Sequence, residues 1–180
     1  GTLRNTSMLT KNGSAGLSLV RPWGFAGVAA SKYISDYGIP PDPEGGHPSG
    51  VNIKLERSHT ETKGEYRFDA LGIQRLEAAY NRSVYFHQEF ESTGDLGMEF
   101  GVVSNFFTAL AFLKNRGTFR NGVLGIRAST RDYASGGLTF TPNTFETAWA
   151  GVYYQEIKTG KFLLHGSLRY DFKGVDPGIE

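Results

Sequence analysis

The chain has 180 residues, enough for one domain, and its 19 Lys plus Arg against 18 Asp plus Glu leave a formal charge of +1, too little for a general attraction to nucleic acid. It has no cysteine, which excludes disulfides and thiolate metal sites, while 24 glycines and 13% aromatic residues favour strands and turns over helices. The longest nearly apolar run, Phe106 to Leu113, is far short of the roughly 20 residues of a membrane helix, but a tilted barrel strand crosses a bilayer in about 9–11 alternating residues.

No charged and apolar leader opens the sequence at Gly1, so it reads as a mature, trimmed or internal piece. Residues 1–13 are polar and irregular, a loop entering a first strand over Ser14 to Val20. Pro22 removes a ladder donor and Gly24 allows a reversal, and a second strand follows to Gly38. Ile39 to Gly50 holds four prolines and three glycines, which makes it an exposed loop. In Val51 to Phe68 the apolar phase changes. Val51, Ile53 and Leu55 are odd-numbered, Tyr66 and Phe68 even. Either a bulge near Thr60 to Gly64 restores one face, or the first half rises beyond a membrane, where facing no longer matters.

After a short turn at Asp69 to Gln74, a strand over Arg75 to Glu91 puts Leu76, Ala78, Tyr80, Val84, Phe86 and Phe90 on one face. Glu77, Asn81, Ser83, His87, Glu89 and Glu91 take the other. Arg82 is the misfit on the apolar side, at a cost of about 2–4 kcal/mol if it faced lipid at mid-bilayer. Gly94 to Leu113 is a further strand, Lys114 to Asn121 a turn, and Gly122 to Tyr133 alternates again. Ala134 to Thr144 is a polar loop; Phe145 to Ile157 and Lys161 to Phe172 form the last pair, joined through Gly160. Lys173 to Glu180 reads as the start of another connection. The expected fold is all-β: about eight meandering antiparallel strands, each of about 12 to 18 residues against a usual mode of about 5–6, with short turns alternating with longer loops. Periodicity alone leaves open which phase meets a core and which meets water or lipid.

The segments SAGLSLVRPWGFAGVAASKYISDYGIP, YRFDALGIQRLEAAYNRSVYFHQEFE, RNGVLGIRASTRDYAS, LTFTPNTFETAWAGVYYQEI and HGSLRYDF, in this order, resemble the barrel portion of TonB-dependent outer-membrane receptors, in particular the branch of zinc-uptake receptors. The similarity is one of pattern over about residues 13–173. It implies a transmembrane segment of a plugged 22-stranded barrel in the bacterial outer membrane. Its partners would be outer-membrane lipid, the TonB energy-coupling system acting through a plug domain, and a scarce nutrient such as a metal ion or metal complex. A TonB box, a plug and a closing terminal strand are not recognised, so the resemblance implies an interior slice. Two other readings stand beside it: a self-contained eight-stranded outer-membrane barrel of structural or adhesive role, and a soluble lipocalin-like barrel with the opposite facing.

If the chain is such a receptor, its extracellular loops contact ligand, and the candidates are Tyr37, Asp42, Glu44 and His47. Zinc-uptake relatives crowd this loop with histidines. Here His47 stands alone, too few for a metal site, and no cofactor is expected. His87, Arg127, Arg131, His165 and Arg169 fall in the polar phases of their strands, with Asp171, and should line a channel; His59 is a further wall or rim residue. Trp23, Tyr33, Tyr37, Phe68, Tyr133, Phe140 and Phe172 lie near strand ends and suit interfacial girdles. No nucleophile elbow, paired-histidine motif or phosphate loop is present, so a non-enzyme is expected.

Overall fold

A computed structural model of the chain describes residues 3–42, 44–45, 47–137 and 141–178, with the backbone alone for Phe68 and Asp69. The described residues form eight strands: β1 Met8–Arg21, β2 Gly24–Ile39, β3 Val51–Ala70, β4 Ile73–Glu91, β5 Leu96–Leu113, β6 Phe119–Gly137, β7 Thr144–Thr159 and β8 Phe162–Pro177. Each pairs antiparallel with the next in a single meandering sheet, and no helix among the described residues is long and apolar enough to cross a membrane. The strands run from 14 to 20 residues, about three times the globular norm. Among the described residues β1 and β8 make no contact, so the sheet is open.

The tight connections have a local cause. Pro22 and Trp23 alone separate the paired Arg21 and Gly24; Gly24 has φ 143°, and a Cβ there would lie 1.9 Å from the carbonyl oxygen of Glu65. Between Ala70 and Ile73 the two turn residues Leu71 and Gly72 both have positive φ, 54° and 77°, the twist that a two-residue hairpin requires. Gly160, at φ 57°, turns β7 into β8.

Four expectations need correction. Met8 to Gly13 is strand, paired with Lys32 to Tyr37, because an edge ladder tolerates polar residues wherever its partner continues. Ala134 to Gly137 likewise extends β6 against Met98 to Gly101, and Lys173 to Pro177 extends β8 against β7. Residues 138–140 of that predicted loop lie outside the described residues. No bulge interrupts Thr60 to Gly64: β3 keeps an unbroken register with β4 from Val51 to Arg67, and the shift comes between Arg67 and Ala70. The change of phase is therefore real. Val51 and Ile53 are buried on one face of the sheet while Tyr66, on the other, is exposed.

The two faces differ in chemistry. Directly paired residues share a face, so the registers connect Leu17, Val28, Leu76, Tyr80, Phe107, Ile126, Trp149 and Leu168 on one side, the apolar face. On β4 every residue of that face from Leu76 to Phe86 is exposed, and every alternate residue from Arg75 to His87 is half-buried or buried. Coiling of the sheet toward the polar face produces this difference. Leu164 and Leu168 are 57% and 72% exposed, whereas the Glu89 side chain keeps 24% of its surface. Buried apolar residues are few among those described: Val51, Ile53 and Ala150. The accessible surface, 12418 Å², compares with about 8,600 Å² for a compact monomer of this mass. Among the described residues no second layer covers either face.

The apolar face is banded. One register row runs Val28, Thr62, Tyr80, Phe107, Ala128, Trp149, Phe172; the next, farther from the tight turns, runs Ala30, Thr60, Arg82, Asn105, Thr130, Thr147, Gly174. Beyond it the same face carries Lys32, Glu56, Asp132 and Asp176 interspersed with the exposed Val84, Phe86 and Phe145. From Ile73 to Arg82 is nine residue steps, about 30 Å of strand at about 3.3 Å each; tilted by about 40°, that length rises about 23 Å, close to the apolar band of about 25 Å in outer-membrane barrels. Aromatic pairs stand at both margins: Trp23 with Tyr66 at 5.5 Å by the tight turns, and Trp149 with Tyr170 and Phe172 at 5.3 and 6.0 Å below the polar row. Tyr33, Tyr37 and Tyr133 are not part of these margins. They share the polar face, since they fall in the odd phase of β2 and β6 while the apolar residues there are even. Phe140 and the Phe68 side chain lie outside the described residues.

Candidate functional site

The polar face has two regions. In the half nearer the tight turns it is a wall of neighbouring charges. Glu65 accepts from Arg67 Nε at 2.6 Å, and Arg75 reaches Glu77 at 3.2 Å while its guanidinium lies 3.8 Å from the centre of the Phe112 ring. Arg169 grips Asp171 with two N–H groups, one at 2.7 Å, and Arg127 lies over Phe106 at 4.1 Å. Tyr154 is 2.7 Å from His165 Nδ1 and donates to Glu156 at 2.9 Å. Arg67, Gln74, Arg75, Phe112, Asn121 and Tyr154 surround a hollow of about 560 Å³. Alternation along each strand produces this arrangement: the charged residues occupy the phase opposite the exposed apolar one.

Toward the long loops the same face becomes aromatic. Tyr33, Arg57, Tyr85, Val102 and Tyr133 form one register row, and Ser35, Leu55, His87 and Phe100 the next. His87 stacks on Phe100 with ring centres 4.6 Å apart, and Tyr85 and Tyr133 flank Phe100 at 5.8 and 6.3 Å. His87 is 8% exposed; its Nδ1 lies 3.1 Å from the Tyr85 hydroxyl and its Nε2 3.0 Å from Glu89. This patch offers ring faces for stacking, with Tyr hydroxyls, Arg57 and Glu89 at its margin.

The loop between β2 and β3 stands beside it. Asp42 N–H donates to the His47 carbonyl at 3.1 Å, Gly50 N–H donates to the same oxygen at 3.1 Å, and the Asp42 carboxylate accepts from Glu44 N–H at 3.2 Å. His47 Nδ1 lies 3.3 Å from Glu91 at the end of β4, which ties the loop to the sheet. Asn5 crosses the base of the loop and donates to the carbonyls of Ile39 and Val51 at 3.0 and 2.9 Å.

Of the residues expected to contact ligand, Tyr37 lies on the polar face in the row of Ile53 and Glu89, and Asp42, Glu44 and His47 occupy the loop. Among the described residues no group of three or more His, Asp or Glu side chains is placed to hold a metal ion. The expected wall residues His87, Arg127, Arg131, His165 and Arg169 all share the polar face. His59, His87 and His165 do not converge: they stand on β3, β4 and β8 in different register rows. The sequence reading missed Tyr85 and Phe100 as members of the aromatic patch. For Tyr85 the signal is that it falls in the phase of β4 that carries Glu77, Asn81, Ser83, His87 and Glu89; Phe100 has none, since its phase of β5 is mostly apolar. No family model matches the chain, and no curated protein matches it in sequence.

Proposed function

We propose that the chain is part of the barrel wall of a TonB-dependent outer-membrane receptor that takes up a scarce nutrient, such as a metal ion or metal complex, across the bacterial outer membrane. The observation that carries this reading is the band on the apolar face: exposed aliphatic residues about one bilayer core tall, closed at one margin by Trp23 and Tyr66 and at the other by Trp149 and Phe172, with charge beyond. A lipocalin-like protein would bury that phase. The two unpaired edges support a slice of a larger barrel over a self-contained one, since an open sheet edge has no hydrogen-bond partners in hydrocarbon.

In this reading the polar face is the wet interior, and the aromatic patch beside the long loop is the first wall the nutrient meets. A plug domain would rest against the charged half, and TonB would supply the energy through it. The work is displacement of a bound solute, so no covalent chemistry is asked of the wall. The test is fractionation with an uptake assay on the full-length protein. The account expects it in the outer membrane, dependent on detergent for solubility, with unheated migration faster than heated. Uptake should collapse when the inner-membrane proton gradient is dissipated, and Tyr85→Ala should raise the half-saturating nutrient concentration by about threefold to tenfold, one stacking contact's worth. Recovery in the soluble fraction without detergent would overturn it.

A further inference from the structure

Arg82 is the observation that the wall itself leaves unexplained. It lies on the apolar face between Tyr80 and Val84, so its register is that of the lipid-facing phase. Its Nη1 donates to Asn105 Oδ1 at 3.0 Å; the same oxygen accepts from the Tyr80 hydroxyl at 2.7 Å, and Asn105 Nδ2 donates to Thr130 Oγ1 at 3.0 Å. Asn105 thus fixes Arg82 in place with a neutral partner. A guanidinium has five N–H donors, and among the described residues Arg82 makes no ion pair and no other hydrogen bond. Its register row contains no carboxylate: the neighbours are Ala30, Thr60, Asn105, Thr130 and Thr147. By contrast, Lys32, one row farther out on the same face, is paired with Glu56.

Next to the Asn105 cluster, on its tight-turn side, the face is hollowed. A groove of about 260 Å³ has Tyr80, Phe107, Ala128 and Trp149 as walls and Asn105 and Thr130 along its upper edge. A held cation without an acid, bonded to the asparagine that edges a groove of rings and methyl groups, matches an amphiphile with an anionic head and a hydrocarbon tail. Guanidinium prefers phosphate because the planar fork makes paired, charge-assisted hydrogen bonds.

Building on the membrane reading, we propose that Arg82, positioned by Asn105, binds the phosphate of an outer-leaflet lipid whose acyl chain lies in the Tyr80–Trp149 groove. The site would set the depth of this part of the wall, since the phosphate plane fixes where the polar row sits. The experiment titrates the delipidated, full-length protein in detergent with phosphatidic acid, and with diacylglycerol of the same chains as the phosphate-free control, reading bound lipid by native mass spectrometry. The wild type should retain phosphatidic acid about tenfold more tightly than diacylglycerol, Arg82→Gln should erase that difference, Arg82→Lys should restore part of it, and Lys54→Gln should leave it unchanged. All four should insert into vesicles and show the unheated fast-migrating form. Inserted protein in which Arg82→Gln binds phosphatidic acid like the wild type overturns the lipid site and leaves the membrane reading standing. A mass shift to a dimer that Arg82→Gln abolishes would make the occupant a second copy and also overturns it. Protein that does not insert at all overturns both readings.

Discussion

Gln155 shows how a single side chain holds a wall of this kind together. It falls in the apolar phase of β7, yet it is buried, and its Nε2 donates to the carbonyls of Arg120 at 2.7 Å and Glu156 at 2.9 Å. There the register of β6 with β7 slips between Arg120 and Val123, with Asn121 at φ 46°. The side-chain amide supplies donors to two carbonyls beside the slipped ladder. Replacing it with leucine of similar size removes both bonds, and we expect Gln155→Leu to cost about 1–3 kcal/mol, read as a lower urea midpoint for refolded protein. Nothing in a linear reading announces this residue: a glutamine in an apolar stripe looks like noise until the slip opposite it is seen. Arg82 is the opposite case. Its conflict with the stripe is legible from Leu76 to Phe86 alone; in the structure the register there is unbroken, and Thr60, Asn105, Thr130 and Thr147 share its row.

At the scale of the strand, alternation carried most of the information. β4 and β8 can be read nearly end to end because a half-exposed strand repeats every two residues, and the residues expected to share the polar face do so. What alternation could not supply was length and phase at the ends. Met8 to Gly13 and Lys173 to Pro177 look like loops because ladder pairing, which is long-range, keeps them extended. The tyrosines were misassigned for a related reason: Tyr33, Tyr37 and Tyr133 lie near strand ends, but facing is set by parity, and their parity is that of Arg57 and Ser135. The strand-level prediction concerns depth. Ile126 stands mid-band on β6 and Ala134, on the same face, stands four residues beyond Thr130. Ile126→Arg should destabilise the folded protein in bilayers by about 2–4 kcal/mol and Ala134→Arg by about 0–1 kcal/mol. Equal costs in lipid-refolding titrations would contradict the banding.

At the scale of the molecule, the governing fact is that the described residues form one sheet without a second layer. About 3,800 Å² more surface is exposed than a compact monomer of this mass would show, and much of the excess is leucine, tyrosine and phenylalanine on one face. Something must cover that face and something else must complete the two edges. In the proposed reading, lipid on the apolar face and further strands at β1 and β8 would meet both needs, with the charged and aromatic face left to water, plug and nutrient. The all-β meander was legible in the sequence; the covering was not, because periodicity has no sign.

Facing can be measured directly, since the chain has no cysteine to interfere. Single cysteines at Leu168 and Ile126 on one face, and at Arg169 and Arg127 on the other, would carry nitroxide labels in the full-length protein reconstituted into vesicles. The account predicts that labels at 168 and 126 collide with oxygen and are shielded from a water-soluble nickel chelate, while those at 169 and 127 show the reverse. Chelate access at 168 and 126 equal to or greater than that at 169 and 127 would contradict it.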